Sequence, residues 1–333
     1  MRERPLVSII LAAYNWTSVL GYAMRSVIWQ TFSDWELLVV GDACTDDTAQ
    51  VVASFDDPRI RWHNLAENTG NQSGPNNAGL AMAGGKYIAY IHQDDLWLPD
   101  HLGVLVAALE PSDAVLAHAL ALVVGPPPEL GRWIAEMTYG TDLGSEEVFF
   151  TTPAVMHRAD AAREVGGWRD WRTVYEQPQN HFFRRLLEKK PEPLSVRELT
   201  VVKFHSALRR NSYLEKCSAE QATYFERIGS EPDFRYRELL QAAHTISKGI
   251  VPRDDVQRPD VLTPGWAVAQ FRRLRGLEEK VPSPGALWGV RRRPLLICLL
   301  AWLRDLFPLR LRKPVGQFIV KAGHFVARAP IRT

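Results

Sequence analysis

Cysteine is scarce in this chain. Cys44, Cys217 and Cys298 stand far apart and share no metal-ligand spacing, which argues against a disulfide framework and a zinc site and fits a reducing, cytosolic setting. An excess of one charge is also missing: 40 Lys and Arg face 38 Asp and Glu, too even a balance to drive wholesale nucleic-acid binding. No apolar run reaches the roughly 20 residues of a membrane-spanning helix, and no internal repeat is present. The first apolar run is not followed by G-x-G-x-x-G, so a dinucleotide cofactor has no support; P-loop spacing is absent as well. The opening MRERPLVSII has no small-residue cleavage pattern and reads as a first strand rather than a signal peptide.

What the 333 residues do contain is apolar material for a core, 46% of the chain. Leu6 to Leu11 is β-branched and does not alternate, as a strand buried on both faces reads. From Thr17 or Ser18, plausible N-caps, to Gln30 apolar positions recur at helical spacing. A strand over Trp35 to Val40, a helix through Phe55 with Asp46 as candidate cap, and a short strand Ile60 to Asn64 follow. Asn77 to Met82 reads as a brief helix, Tyr87 to Ile91 as a buried strand, Asp100 to about Leu109 as a capped helix, and Ala114 to Val124 as a strand. Such alternation predicts an α/β fold with a mostly parallel sheet flanked by helices. Past Gly125 the pattern weakens: Val148 to Thr152 reads as a strand, Arg158 to Val165 and His181 to Lys189 as helices, and Leu214 to Ile228 and Arg237 to Ser247 as further helices.

Chemistry is expected where the apolar run Tyr87 to Ile91 stops at His92, Gln93, Asp94 and Asp95, because ligands of open α/β sheets bind at the carboxyl ends of strands. Adjacent strand residues point to opposite faces, so one carboxylate can enter the cleft while the other organises the next turn. Hard carboxylate oxygens there suit Mg²⁺ or Mn²⁺ completed by a substrate diphosphate, or else form a plain Asp-Asp turn. Asp42 ends another strand at the same edge, with Asn15 near it; it can accept from a nucleobase or ribose, or simply organise its turn. The loop Glu67 to Asn76 offers amides and glycines for close approach to a ligand, or is merely solvated. Trp168, Trp171 and Tyr175 can hold a sugar ring or form a satellite apolar cluster.

Taken together, these strand ends resemble the family 2 glycosyltransferases, inverting enzymes of the GT-A fold that use nucleotide-sugar donors. Val7 to Asn15, Ser26 to Phe32 with Trp35 to Val40, Gly41 to Thr48, Glu67 to Gly70, Asn77 to Leu80 and Tyr87 to Trp97 resemble the family's motifs in order over about 110 residues, and Val165 to Trp168 extends the match. The resemblance implies a Rossmann-like GT-A domain over 1–210, with a nucleotide-sugar half (1–110) and an acceptor half (111–210). It implies nucleotide-sugar contacts from Ala13, Tyr14, Asn15, Asp42, Asn68, Asn77, Gln93 and Asp94, and a divalent metal, Mn²⁺ or Mg²⁺, on Asp94. His92 stands where the family usually has the first Asp of its D-x-D signature; it ligates the metal, bonds a phosphate, or does neither. Gly41 and Asn76 stand where Asp and Arg are frequent. The family's general base aligns with Gln179, which cannot take a proton, so Glu176, Asp170 and His181 are the local substitutes in that order.

The reading that follows is a hexosyltransferase-type enzyme (EC 2.4) acting on a glycan, glycolipid or polysaccharide hydroxyl, in cell envelope polysaccharide biosynthesis. A nucleotidyltransferase and a non-catalytic nucleotide-sugar-binding protein are its rivals. Residues 211–333 are expected to be a mainly helical extension ending in a basic amphipathic tail, 286–333, in which Arg291-Arg292-Arg293 precede an apolar run. That tail suggests docking on an anionic membrane face, a peripheral placement at the inner side, with no nucleic acid as partner.

Overall fold

Why the central strands lack alternation becomes clear from their two-sided burial. In the computed structural model, which describes residues 4–125, 132–135, 151–174, 177–188, 192–204, 209 and 212–247, Ile9 and Leu11 of the first strand face one core with Leu20, Met24, Leu102 and Leu105. Ile10 faces the other core, beside Leu38, Tyr90, Trp168 and Phe182. Every side chain of such a strand is removed from water, so the sequence reads as a continuous apolar run.

The elements are β1 (Val7–Ala13), α1 (Thr17–Ile28), β2 (Trp35–Gly41), α2 (Thr48–Ala53), β3 (Ile60–Asn64), α3 (Ser73–Met82), β4 (Tyr87–His92), β5 (Leu96–Trp97), α4 (His101–Leu109), β6 (Leu116–Val124), β7 (Arg132–Ala135), β8 (Val155–Arg158), α5 (Ala159–Glu164), α6 (Pro178–Leu187), β9 (Leu194–Phe204), α7 (Ser212–Glu215), α8 (Ala219–Ser230) and α9 (Phe234–Ser247). They form a nine-stranded sheet in the order β3-β2-β1-β4-β8-β6-β9-β5, with β7 on β6. β3, β2, β1 and β4 are parallel; β8 runs antiparallel between β4 and β6, and β9 is parallel to β6. The expected α/β sheet flanked by helices is therefore present. Its half β3-β2-β1-β4 is parallel, and its far half is mixed.

Register brings the site's residues to one edge. Ala13 lies opposite Gly41, Ala12 opposite His92, and Gly41 opposite Asn64. The residues that leave these strands, Tyr14, Asp42 and Gln93, consequently emerge side by side.

Several expectations are corrected. The pattern suggests no element between Lys189 and Arg210, yet β9 fills most of that stretch; its first half is largely exposed and polar and only its second half is buried, so no single periodicity marks it. At the end of the strand expected at Val148 to Thr152 the chain instead forms a 3-10 turn, Thr152–Ala154, and a strand, β8, begins only at Val155; residues 148–150 lie outside the described residues. α3 begins four residues earlier than Asn77. Neither Thr17 nor Ser18 caps α1: Trp16 holds the cap position without a side-chain bond, since Asn15, at φ 44°, turns the chain straight into the helix. Asp100 occupies the cap position of α4 without a capping bond, because its carboxylate receives both oxygens' bonds from Arg235 at 2.6 Å. The cap position of α2 is Asp47, without a side-chain bond, while the expected cap, Asp46, one residue before that position, accepts from the Thr48 N–H.

The last described helices pack on the sheet domain. Phe225 of α8 stacks on Trp29 with ring centroids 4.0 Å apart, and Tyr224 and Phe234 join the core beneath β5, β6 and β9. No described helix is long and apolar enough to cross a membrane. The tail 286–333 lies outside the described residues.

Gly79 lets α3 lie against β1: a Cβ there would meet Ile10 Cγ2 at 2.6 Å. An alanine would gain about 0.5–1 kcal/mol of helix propensity but force overpacking that costs about 1–3 kcal/mol. Gly79→Ala is therefore expected to lower the urea midpoint, and a raised midpoint would contradict this contact.

Candidate functional site

The site begins with Asp95. Its side chain is fully buried, and burial alone would raise its pKa, but the Lys203 ammonium and the His92 bond overturn that effect and hold the carboxyl at about 2. Lys203 Nζ donates to Oδ2 at 3.0 Å and the Phe204 N–H to Oδ1 at 2.9 Å. Both partners belong to β9, so Asp95 ties the end of β4 to a strand more than 100 residues away in sequence.

Asp94 is the opposite case. It is 7% exposed, and apart from its own backbone N–H its carboxylate has no bonding partner among the described residues. Its pKa rises to about 7, first by burial and then by the Asp95 charge. Gln221 of α8 holds only its carbonyl, at 3.2 Å. A buried acid without a partner is costly for folding and is typical of a group reserved for a ligand.

His92 has both ring nitrogens engaged. Nδ1 faces Asp95 Oδ2 at 3.0 Å and Lys203 Nζ at 3.2 Å, while Nε2 pairs with the Gln72 side-chain amide at 3.0 Å. Burial and the neighbouring ammonium lower its pKa, so the ring is neutral at pH 7. His92, Asp94 and Asp95 can bring ligand atoms within 4.8 Å of one another. Of the three, Asp94 alone is uncommitted.

Around this cluster the strand ends are laced together. Gln93 accepts from the Tyr14 N–H at 2.8 Å and donates to the Tyr14 carbonyl at 3.3 Å, leaving the Tyr14 ring 41% exposed. Ala13 is buried, and its carbonyl accepts from the Asp42 N–H at 2.9 Å. Asn15 accepts from the N–H groups of Thr45 and Asp46; its left-handed backbone, which Asn tolerates better than most residues, aims the side chain at that turn. The Asp42 carboxylate accepts from Thr69 N and Oγ1, both at 2.8 Å, and from Gly70 N at 3.0 Å. Asn68 donates to the Asp42 carbonyl. Asp42 thus holds the loop over the strand ends with its side chain.

The structure separates other expected residues by job. Asn77 exchanges bonds with the Trp168 backbone, each at 2.8 Å. Trp168 is 2% and Trp171 5% exposed; Trp168 stacks on Phe182 at 4.7 Å inside an apolar cluster, while Trp171 donates from its ring N–H to the Thr69 carbonyl. Tyr175 and Glu176 lie outside the described residues. Asp170 is exposed and paired with Arg172 at 2.9 Å, and His181 stands half-buried in the first turn of α6.

Sequence reasoning missed Lys203, Gln72 and Gln221. A lone cation in the run Thr200-Val201-Val202-Lys203-Phe204 was the one available signal for Lys203. Gln72 and Gln221 carry none, since an amide in a polar loop or on a helix has no distinguishing pattern.

Because the folded Asp94 carboxyl sits near 7 and an unfolded one near about 3.9, the unfolded chain gives up its proton first as pH rises. The stability favouring the protonated form is whole below about pH 4 and is lost as pH passes 7. Asp94→Asn is therefore expected to be more stable than wild type at pH 8, by at most about 4 kcal/mol at about 1.4 kcal/mol per pKa unit, and to converge with it near pH 4. Parallel pH–stability curves in chemical denaturation would refute the shift.

Comparison with known proteins adds to this geometry. The family model described as glycosyl transferase family 2 matches residues 8–163. The chain is 34% identical over 341 residues to the succinoglycan biosynthesis protein ExoO of Rhizobium meliloti, covering 98% of this chain and 91% of that protein. It is 29% identical over 136 residues to the UDP-Glc:alpha-D-GlcNAc-diphosphoundecaprenol beta-1,3-glucosyltransferase WfgD of Escherichia coli, covering 40% of this chain and 53% of that protein. It is 35% identical over 109 residues to the putative colanic acid biosynthesis glycosyl transferase WcaA of the same species, covering 32% and 39%. The chain spans about half the length or less of WfgD and WcaA. Among solved structures it shares its fold with S. aureus TarS 1-349 in complex with UDP-GlcNAc, at a TM-score of 0.53 and 16% identity over 83% of this chain and 82% of that one.

Proposed function

The chain belongs to glycosyl transferase family 2, and we propose that it is an inverting glycosyltransferase moving a sugar from a nucleotide-sugar donor to a hydroxyl of a glycan or glycolipid during polysaccharide synthesis. One observation carries the reading: Asp94 is an open, buried carboxylate at the carboxyl edge of the sheet, beside the ends of β1 and β2 and their covering loop. The names of ExoO, WcaA and WfgD support polysaccharide and lipid-diphosphate-linked acceptors as the class.

In this reading the exposed Tyr14 ring and the backbone of Ala13 and Asn15 meet the base and ribose. Asp42, Asn68 and Asn77 shape the loop that covers the nucleotide, and Gln93 and Asp94 lie on the diphosphate side. The donor set fits a divalent cation, Mg²⁺ or Mn²⁺, at Asp94, the carboxylate of this cluster that no described side chain bonds; His92 would join only by giving up Gln72 or Asp95. Such an ion, when bound, supplies charge stabilisation for the leaving diphosphate. Lys203 adds a fixed positive charge on the same edge. The acceptor oxygen attacks the anomeric carbon, the bond from that carbon to the diphosphate oxygen breaks, and the hydroxyl proton passes to a base. Glu176 and His181 are the candidates for that base; Asp170 is held by Arg172.

Calorimetry with UDP-, GDP- and dTDP-sugars is expected to show binding of one donor that tightens with Mn²⁺, and Asp94→Ala to remove the Mn²⁺ effect and at least about tenfold of the transfer rate. His92→Asp should strengthen Mn²⁺ binding in the presence of nucleotide. If no donor binds and Asp94→Ala leaves transfer unchanged, the reading fails.

The basic tail 286–333 supports a peripheral placement on the cytoplasmic membrane face, near a lipid-linked acceptor. Liposome flotation should recover the full chain with anionic vesicles and lose that recovery when the chain stops at Pro284. Equal recovery of the two would remove the membrane from this account.

A further inference from the structure

Two positions depart most from the family pattern, His92 in the D-x-D signature and Gln179 at the aligned base, and a single side chain joins them. The Gln72 amide pairs with His92 Nε2 at 3.0 Å and donates from Nε2 to Gln179 Oε1 at 3.2 Å. Gln179 in turn donates to Gln177, at the entry to α6. A second strap runs parallel to the first: Trp171 Nε1 donates to the Thr69 carbonyl at 3.0 Å, and Thr69 is held by the Asp42 carboxylate. The loop 67–72, just before α3, is thus the shared member between the strand ends beneath it and the start of α6.

These links differ from ordinary fold-holding bonds in one respect. Gln72 and Thr69 each bond in two directions, toward a strand end and toward the segment before α6, so a change in the loop has to be felt on both sides. α6 packs on β4 directly, where Phe182 and Phe183 meet Tyr90, and Gln72 adds a polar link from His92 at the end of β4 to Gln179 at the start of α6.

Resting on the glycosyltransferase reading, we propose that Gln72 and Trp171 are positioning residues, which set the turn at Trp171–Thr173 and the start of α6 at Gln179 by tying them to the nucleotide-facing loop. Nucleotide occupancy then orders the start of α6, and the two substrates are coupled through the loop. His92 and Gln179 act as the two ends of one connection.

The test is hydrogen exchange of the full chain with and without UDP, with GDP and dTDP run alongside, in wild type, Gln72→Ala, Trp171→Phe and their double variant. Trp171→Phe removes the N–H donor and keeps a smaller aromatic ring in the buried position. In wild type the nucleotide is expected to slow exchange in the first turn of α6 at least about fivefold, within the usual range of coupling between sites. In the double variant that response should vanish while nucleotide protection of residues 67–71, and the calorimetric Kd to within about threefold, persist; a merely structural role would not separate the two. Either single variant should show a partial loss if the double variant does not fold. An α6 response that survives in the double variant, or is absent from nucleotide-bound wild type, overturns the proposal alone. Failure of wild type to bind any of the three nucleotides overturns the underlying reading, and the proposal with it.

Discussion

A carboxylate buried at a strand end stays ionised only when a cation and hydrogen-bond donors replace the water it lost. Asp95 meets that condition through Lys203, His92 and the Phe204 N–H, and much of the site's geometry follows. Both of its oxygens are taken, so the chain beyond β4 is pinned to β9, and the ends of β4 and β9 are kept at one level. Breaking such a pair by removing one partner typically costs about 3–5 kcal/mol, which makes this pair a constraint on the fold as well as on the site.

Because Asp95 consumes the local cation, its neighbour is left as a carboxylate without one. Asp94 carries that cost as a raised pKa, and a ligand that brings positive charge relieves it. The neutral His92 belongs to the same balance. An aspartate in its place would add a further negative charge beside Asp94 and Asp95, whereas a neutral imidazole lies between Asp95, Lys203 and Gln72 without adding charge. The unusual signature thereby suits a cluster in which the cation bonded to the acidic pair, among the described residues, is Lys203.

The loop over the strand ends repeats this logic with neutral groups. Asp42 and Asn68 hold it from below, Trp168, Trp171 and Gln179 from the side. Gly167 permits part of this, since at φ +67° it places its backbone where a Cβ would lie 2.5 Å from Asn77 Oδ1. Residues that sequence reading assigns to nucleotide contact, Asn77 above all, spend their side chains on this framework.

By itself the sequence determined the parallel half of the sheet, its helices and the edge where β1, β2 and β4 end, because two-sided burial and helical periodicity are local patterns that each segment carries alone. It also set the acidic pair apart from the apolar strand before it. Only the tertiary structure decided which aspartate is free, that His92 is tied to Gln72, and that β9 exists as a strand at all. Those outcomes depend on Lys203, Phe204 and Gln179 arriving from more than 85 residues away in sequence. No local pattern records a partner brought by the closing of a sheet.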